Sequence, residues 1–316
     1  MTTLDPSLDL FEEIERLKTE RKAIILAHYY QDPDIQDLAD CLGDSLDLAR
    51  AAKAADDSDV ILFCGVHFMA ETAKLLSPEK TVILPDLEAG CSLADACPGD
   101  QLAAFRQQNP DHFIISYINC SAEAKAQSDI ICTSSNAEKI IAAAPTDRPI
   151  LFAPDKNLGA WLVEKTGREM ALWPGSCMVH VTFSERKILD LKVRHSDAAF
   201  IAHPECEHNI LRHADFVGST SKLLAYVQES EDQTIIVGTE SGILHTMRKT
   251  APGKNLIEVP VDDSAACEGC SQCPHMKLNT LEKIYLALRD LSPRIEMEES
   301  LRAAAARPLE RMLEVS

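Results

Sequence analysis

The chain alternates short, nearly continuous apolar runs with longer stretches in which apolar side chains recur every three or four positions. The runs, such as AIILAH at 23, VILFC at 60 and HFIISY at 112, have the length and content of strands buried on both faces, the habit of parallel sheets. The stretches between them, among them SLDLARAAKAA, NAEKIIAAA and SKLLAYVQ, carry the helical period. That alternation predicts parallel strands joined by helical crossovers. Ahead of the first run, Leu10, Ile14 and Leu17 predict an amphipathic helix. Near the other end NTLEKIYLALRDL predicts another, with Asn279 as its N-cap and Glu282 three residues on to complete a capping box.

The pattern repeats three times. AIILAHYY, HFIISYIN and AAFIAHPE are each an apolar run ending in polar groups, and His28, Tyr117 and His203 stand 89 and then 86 residues apart. The same two lags relate Asp40, Asp129 and Asp215, relate Ser45, Ser134 and Thr220, and relate Ile61, Ile150 and Ile236. TVILPD, EMALWPG and LIEVPVD form a looser fourth set. Agreement of separate registers on two spacings marks an internal triplication. Each unit reads as strand, short helix, strand, helix, strand, helix, strand. The expected fold is therefore α/β, with three homologous three-layer αβα units whose short parallel sheets surround a pseudo-threefold axis. The expected division is an N-terminal helix at 1–20, units at 21–109, 110–195 and 196–278, and a C-terminal helical segment at 279–316.

Ligands of open parallel sheets gather at the carboxyl ends of strands. First strands end in His28 and Tyr30, in Tyr117 and Asn119, and in His203 and Glu205. Second strands end at Ser45, Ser134 and Thr220, each expected to cap a helix and so to offer an anion site at its N-terminus. Fourth strands are followed by EAGCSLAD, PGSCMVH and CEGCSQCPHM, so each unit delivers a cysteine beyond its last strand. Cys91 and Cys177 have Cys273 as their counterpart, because it too stands just before a helix start; Cys267 and Cys270 are then an extra C-x2-C pair. Three thiolates suit a 4Fe–4S cube whose fourth iron has no cysteine, and they equally suit zinc with a water ligand. Cys41, Cys64 and Cys132 lie in apolar, strand-like runs and read as small hydrophobes. No phosphate-cradling glycine motif stands in its expected context, so no nucleotide is indicated.

Composition narrows the class. With 31 basic and 50 acidic residues the formal charge is -19, which repels nucleic acid. Eleven cysteines behind a start that lacks a signal-peptide pattern point away from a disulfide framework and toward metal or redox chemistry. No apolar run of membrane-spanning length occurs, so a cytoplasmic protein without membrane partners is expected.

AHYYQ, GDSLDLAR, CGVHFMAETAKLL, EAGCSLAD, CTSSNA, FAPDKNLG, CMVH, HPEC, GST and CPHMKLNTLEKI follow in the order and spacing of one family. Over residues 23–290 the chain resembles quinolinate synthase, which makes the pyridine ring of NAD. The resemblance implies condensation of iminoaspartate with dihydroxyacetone phosphate, and functional coupling to an aspartate oxidase or dehydrogenase. It implies a 4Fe–4S cluster on Cys91, Cys177 and Cys273, with one open iron acting as a Lewis acid in dehydration. It implies catalytic roles for Tyr30, Tyr117, His203 and Glu205, with Glu205 as general base, and substrate contacts from His28, Ser45, Asn119, Ser134, His180 and Thr220. Two rivals stand beside it: an iron–sulfur protein for electron transfer or redox sensing with the C-x2-C-x2-C run as its core, and a zinc-dependent hydrolase. The first leaves the repeated His, Tyr, Asn and Glu set without purpose, and the second lacks a histidine-rich ligand spacing.

Overall fold

Asp9 accepts hydrogen bonds from the N–H groups of Phe11 and Glu12 and so starts α1 (Leu10–Arg21), which buries Ile14 and Leu17 on one face as its period predicts. This and all that follows comes from a computed structural model, which describes residues 4–5, 7–262 and 271–316. The first unit then runs β1 (Ala23–His28), α2 (Pro33–Leu38), β2 (Cys41–Gly43), α3 (Ser45–Lys53), β3 (Val60–Cys64), α4 (His67–Leu76) and β4 (Thr81–Ile83). After α5 (Ser92–Ala96) and α6 (Gly99–Gln108), the second runs β5 (Phe113–Tyr117), α7 (Ala122–Ala126), β6 (Ile130–Cys132), α8 (Ala137–Ala143), β7 (Ile150–Ala153), α9 (Lys156–Thr166) and β8 (Ala171–Leu172). A 3-10 turn at His180–Thr182 and α10 (Glu185–Arg194) lead into the third. It runs β9 (Ala199–Ala202), α11 (His208–Leu211), β10 (Phe216–Val217), α12 (Thr220–Glu229), β11 (Thr234–Gly238), α13 (Ile243–Thr250) and β12 (Asn255–Glu258). The helices α14 (Leu281–Asp290) and α15 (Glu299–Val315) follow.

The three sheets are wholly parallel and share one order: β2-β1-β3-β4, β6-β5-β7-β8 and β10-β9-β11-β12. The expected α/β class and its three αβα units are therefore present. The chain forms two compact bodies, Met1–Cys91 with Pro274–Ala303, and Ser92–Cys273 with Ala304–Ser316. The first holds one sheet, with α1 and α14 closing a core of Ile14, Ile25, Leu62, Ile284 and Leu288. The second holds the other two sheets, with cores built on Leu102, Ile114 and Leu151 and on Phe200, Ile210 and Ile236. No helix among the described residues is long and apolar enough to cross a membrane.

The repeated aspartates have a structural task. Asp40, Asp129 and Asp215 each accept the N–H of a first-strand residue, Ile25, Ile114 and Phe200 respectively, at 2.8 Å. Each also pairs with a cation on the helix before that strand: Lys18 at 2.9 Å, Arg106 at 2.9 Å and Lys192 at 3.1 Å. A carboxylate at the start of every second strand thus ties leading helix, first strand and second strand together. The triplication is a repeat of bonds as well as of letters.

One register differs from its expectation. Ala27, Ser116 and Ala202 on the first strands pair with Cys64, Ala153 and Gly238 on the third strands. Ile61 and Ile150 oppose Ile24 and Phe113, whose counterpart Ala199 opposes Ile235 rather than Ile236. Ile235 and Ile236 are both fully buried, so in a strand covered on both faces hydrophobicity could not tell the two apart.

The caps also shift by a residue or two. Asp44 and Ser219 cap α3 and α12, which leaves Ser45 and Thr220 at the first helical position; Asn136 precedes α8, which leaves Ser134 two residues upstream. The C-terminal cap is likewise displaced, and with Lys283 as the third helical residue the expected capping box does not form. Thr280 caps α14 and accepts from Lys283, while Asn279 is fully buried and donates to the carbonyl of Gly65. Where several capping residues stand in a row, spacing alone does not choose among them.

Candidate active site

Strand order in each sheet reverses beside the first strand, since the second lies on one side of it and the third on the other. The carboxyl end of that strand is the switch point at which a crevice opens, and there the sequence places His28, Tyr117 and His203.

In the body of residues 92–273 and 304–316, two such ends meet. Glu205, just past β9, is 4 % exposed, and the Tyr117 hydroxyl at the end of β5 donates to its Oε1 at 2.6 Å. Its Oε2 lies 3.0 Å from Nδ1 of His180, which stands on the 3-10 turn after β8. That nitrogen is also 3.2 Å from the Cys177 sulfur, and the other ring nitrogen, Nε2, is 3.0 Å from the Thr239 hydroxyl. The rings of His180 and His203 stack at 5.0 Å. Nδ1 of His203 accepts the N–H of Glu205 at 3.3 Å, which puts the ring proton of the neutral tautomer on Nε2, 3.3 Å from the Ser134 hydroxyl. Tyr117, Ser134, Cys177, His180, His203 and Glu205 are thus brought together.

Burial by itself would raise the Glu205 carboxyl. The charge of His203 when protonated, the hydrogen bond and charge of His180, and the Tyr117 hydroxyl outweigh that and hold it well below the ordinary range. Asp155 behaves in the opposite way. It is fully buried, Oδ1 caps α9 through the N–H groups of Asn157 and Leu158, and Oδ2 has no hydrogen-bond partner. Burial, reinforced by the Glu205 charge, pushes its carboxyl well up, against the two N–H bonds that favour the anion. Where the two acids compete for a proton, Asp155 holds it and Glu205 stays ionised. Asn157 binds this arrangement to the backbone, donating to the Glu205 carbonyl at 3.2 Å.

The remaining residues are placed as follows. Asn119 lies two residues past Tyr117, and its buried Oδ1 has no hydrogen-bond partner. Thr220 is buried at the start of α12, and the Ser135 hydroxyl donates to that of Ser219 beside it at 2.9 Å, which joins the turns ahead of α8 and α12. Cys177 and Cys273 pack against the same apolar cluster, and the Cys273 N–H donates to Glu240 at 3.0 Å. In the other body, Nδ1 of His28 accepts the N–H of Tyr30 at 3.1 Å, the same i to i+2 bond that joins His203 to Glu205. Lys277 pins that turn by donating to the Tyr30 carbonyl at 3.0 Å and pairing with Asp32 at 2.9 Å. Ser45 and Cys91 are partly buried there. Cys267 and Cys270 fall outside the described residues.

Sequence reading missed Asp155, Asn157, Thr239 and Glu240. Thr239 and Asp155 stand just past β11 and β7, so the strand-end rule extended to third strands would have found them. Cys177, His180 and Glu205 offer three donor atoms within 4.8 Å of one another, a set able to hold a metal ion.

A family model described as quinolinate synthetase A protein matches residues 12–314. Among curated relatives named quinolinate synthase, that of Nostoc sp. is 61% identical over 309 residues, covering 98% of this chain and 94% of its own. The relative from Trichormus variabilis is 60% identical over 309 residues with the same two coverages. That from Thermosynechococcus vestitus is 60% identical over 309 residues, covering 98% of this chain and 96% of its own.

Proposed function

The chain belongs to the quinolinate synthase family, and on that premise we propose that it condenses iminoaspartate with dihydroxyacetone phosphate to give quinolinate, phosphate and water. It is an enzyme of NAD biosynthesis, working in the cytoplasm. Iminoaspartate is short-lived, so an aspartate oxidase or dehydrogenase must supply it.

The donor chemistry fits a 4Fe–4S cluster, because three cysteines each follow the fourth strand of a different sheet: Cys91 after β4, Cys177 after β8 and Cys273 after β12. These three would hold the cluster, which when bound supplies an iron without a cysteine ligand, a Lewis acid suited to dehydration.

The remaining chemistry belongs to side chains. Glu205, kept ionised beneath its neighbours, takes carbon-bound protons as general base. Tyr117 fixes Oε1 and leaves Oε2 directed at His180, so the carboxylate presents one defined geometry to the substrate. His203 and His28, when protonated, pair with substrate carboxylates, and Tyr30 orients the substrate from its own turn. Ser45 and Thr220, at the first positions of helices capped by Asp44 and Ser219, and Ser134, in the turn ahead of α8, contact the phosphate and carboxylates. The unpartnered Oδ1 of Asn119 accepts a substrate N–H or O–H.

The observation that carries this reading is the chain Tyr117–Glu205–His180–Cys177, buried up to its partly exposed thiol end. It joins a base to a thiol within hydrogen-bond distances, an arrangement with no use in a pure electron carrier. The test is iron and acid-labile sulfide per chain on anaerobically purified protein, beside Cys91→Ser, Cys177→Ser and Cys273→Ser, followed by a quinolinate assay. About four of each in the parent, lost in all three variants and accompanied by turnover, is expected for a 4Fe–4S centre. Zinc without sulfide, or a cluster indifferent to Cys91 and Cys177, would overturn the assignment.

A further inference from the structure

We infer that the chain without its cluster binds a single zinc ion at Cys177, His180 and Glu205, and that zinc there blocks cluster loading. The donors are a thiol, an imidazole and a carboxylate, the mixed set that zinc favours. Their separations fit one ion. Tetrahedral zinc with ordinary bond lengths needs donor-to-donor edges of roughly 3.4–3.6 Å. Here Nδ1 of His180 is 3.2 Å from the Cys177 sulfur and 3.0 Å from Oε2 of Glu205, and all three donors lie within 4.8 Å. Opening the two His180 edges by about half an ångström, and drawing the Cys177 sulfur and the Glu205 carboxylate in from a separation of at most 4.8 Å, is within the reach of side-chain rotation.

The surroundings are those of a built metal site. Nε2 of His180 faces the Thr239 hydroxyl at 3.0 Å, the outer hydrogen bond that fixes a ligating imidazole, and leaves Nδ1 for the ion. The Tyr117 hydroxyl holds Oε1 of Glu205 and so presents Oε2. His180 and Glu205 are both nearly fully buried, and the apolar cluster behind Cys177 keeps bulk water from competing. Binding displaces the thiol proton of Cys177 and the Nδ1 proton of His180 to solvent, leaves Nε2–H to donate to the Thr239 hydroxyl, and changes no oxidation state. The blocking rests on the reading above, because it requires Cys177 to be a cluster ligand; the zinc site does not.

Cobalt(II) reports the site directly, since a thiolate ligand gives a charge-transfer band and tetrahedral geometry gives intense visible bands. The full chain, stripped of metal under anaerobic conditions, should take up one cobalt per chain and release it to one equivalent of zinc. Cys177→Ser and His180→Ala should abolish the bands. Thr239→Val, which keeps all three donors, should weaken binding about 10- to 100-fold, and Cys91→Ser and Cys273→Ser should bind as the parent does. A chain preloaded with one zinc should take up iron and sulfide more slowly than the stripped chain. Cobalt lost in Cys91→Ser and Cys273→Ser but kept in His180→Ala would overturn the inference in favour of a three-cysteine zinc site. Absence of the bands in a parent that still loads its cluster would overturn it and leave the synthase reading intact. Failure of cluster loading with cobalt binding intact would remove the synthase assignment and the blocking, while the zinc site stood.

Discussion

Replacing Glu205 by glutamine separates its charge from its shape. The structure gives the carboxylate two donors, Tyr117 on Oε1 and His180 on Oε2. A carboxamide can accept only on one side, so its NH2 must face a donor. The lost bond and the donor–donor contact together cost about 1–3 kcal/mol. Loss of a positioned general base lowers kcat by about 10²- to 10⁴-fold, or roughly 2.7–5.5 kcal/mol in the barrier. The pH profile adds a sharper test. Because its neighbours hold Glu205 below the ordinary carboxylate range, it is ionised at every pH above about 4.3. Any acid limb of kcat/KM between pH 5 and 8 therefore belongs to other groups, and Glu205→Gln should lower the whole profile without moving that limb. The assay is quinolinate formation on anaerobic protein, with iron content and thermal melting as controls. Full turnover in a Glu205→Gln protein that keeps its cluster would refute the base role. A limb that vanished with the substitution would refute the electrostatics.

Other outcomes follow from the same geometry. Asn157→Ala frees the Glu205 backbone without touching its carboxylate, so kcat should fall several-fold with little change in KM, while cluster content stays at the parent level. Asp155→Asn keeps the cap acceptor for α9 and removes the acid. Native Asp155 holds its proton to higher pH than the unfolded chain does, so the parent loses stability as pH rises above the unfolded value of about 3.9. The variant should gain on the parent from pH 4 toward pH 8, and melting curves showing the reverse trend would be inconsistent with a raised carboxyl. Asp129→Ala orphans the Ile114 N–H and breaks a partly buried ion pair with Arg106, at about 2–3 kcal/mol, read as faster hydrogen exchange in β5 and a lower melting temperature. Thr280→Ala should destabilise α14 by about 1 kcal/mol through loss of its cap. Asn279→Ala, by contrast, should act through the lost bond to Gly65, and equal helix fraying in both would count against the assigned cap.

What the sequence determined by itself is the architecture and the address of the site. Buried-strand runs and helical periods at two constant lags require three parallel sheets, because hydrophobic patterning is local and survives in the letters. The strand-end rule then picked out His28, Tyr117, His203, Glu205 and the three cysteines, since chain topology sets where strand ends fall. Family motifs supplied His180, which no periodicity marks. What tertiary structure decided lies one step finer. Asp44 and Ser219, rather than Ser45 and Thr220, cap their helices, because capping turns on a single φ/ψ change that neighbouring polar residues can equally accommodate. Ile235 takes the place expected of Ile236, because a strand buried on both faces carries no alternation to fix its register. The repeated aspartates proved to be staples between helix and strands, a role visible only when Lys18, Arg106 and Lys192 are seen to meet them. The opposed ionisation of Asp155 and Glu205 depends on burial and on groups about 50 residues apart in the chain. Sequence spacing encodes neither quantity, so only the folded arrangement could reveal which of the two acids holds the proton.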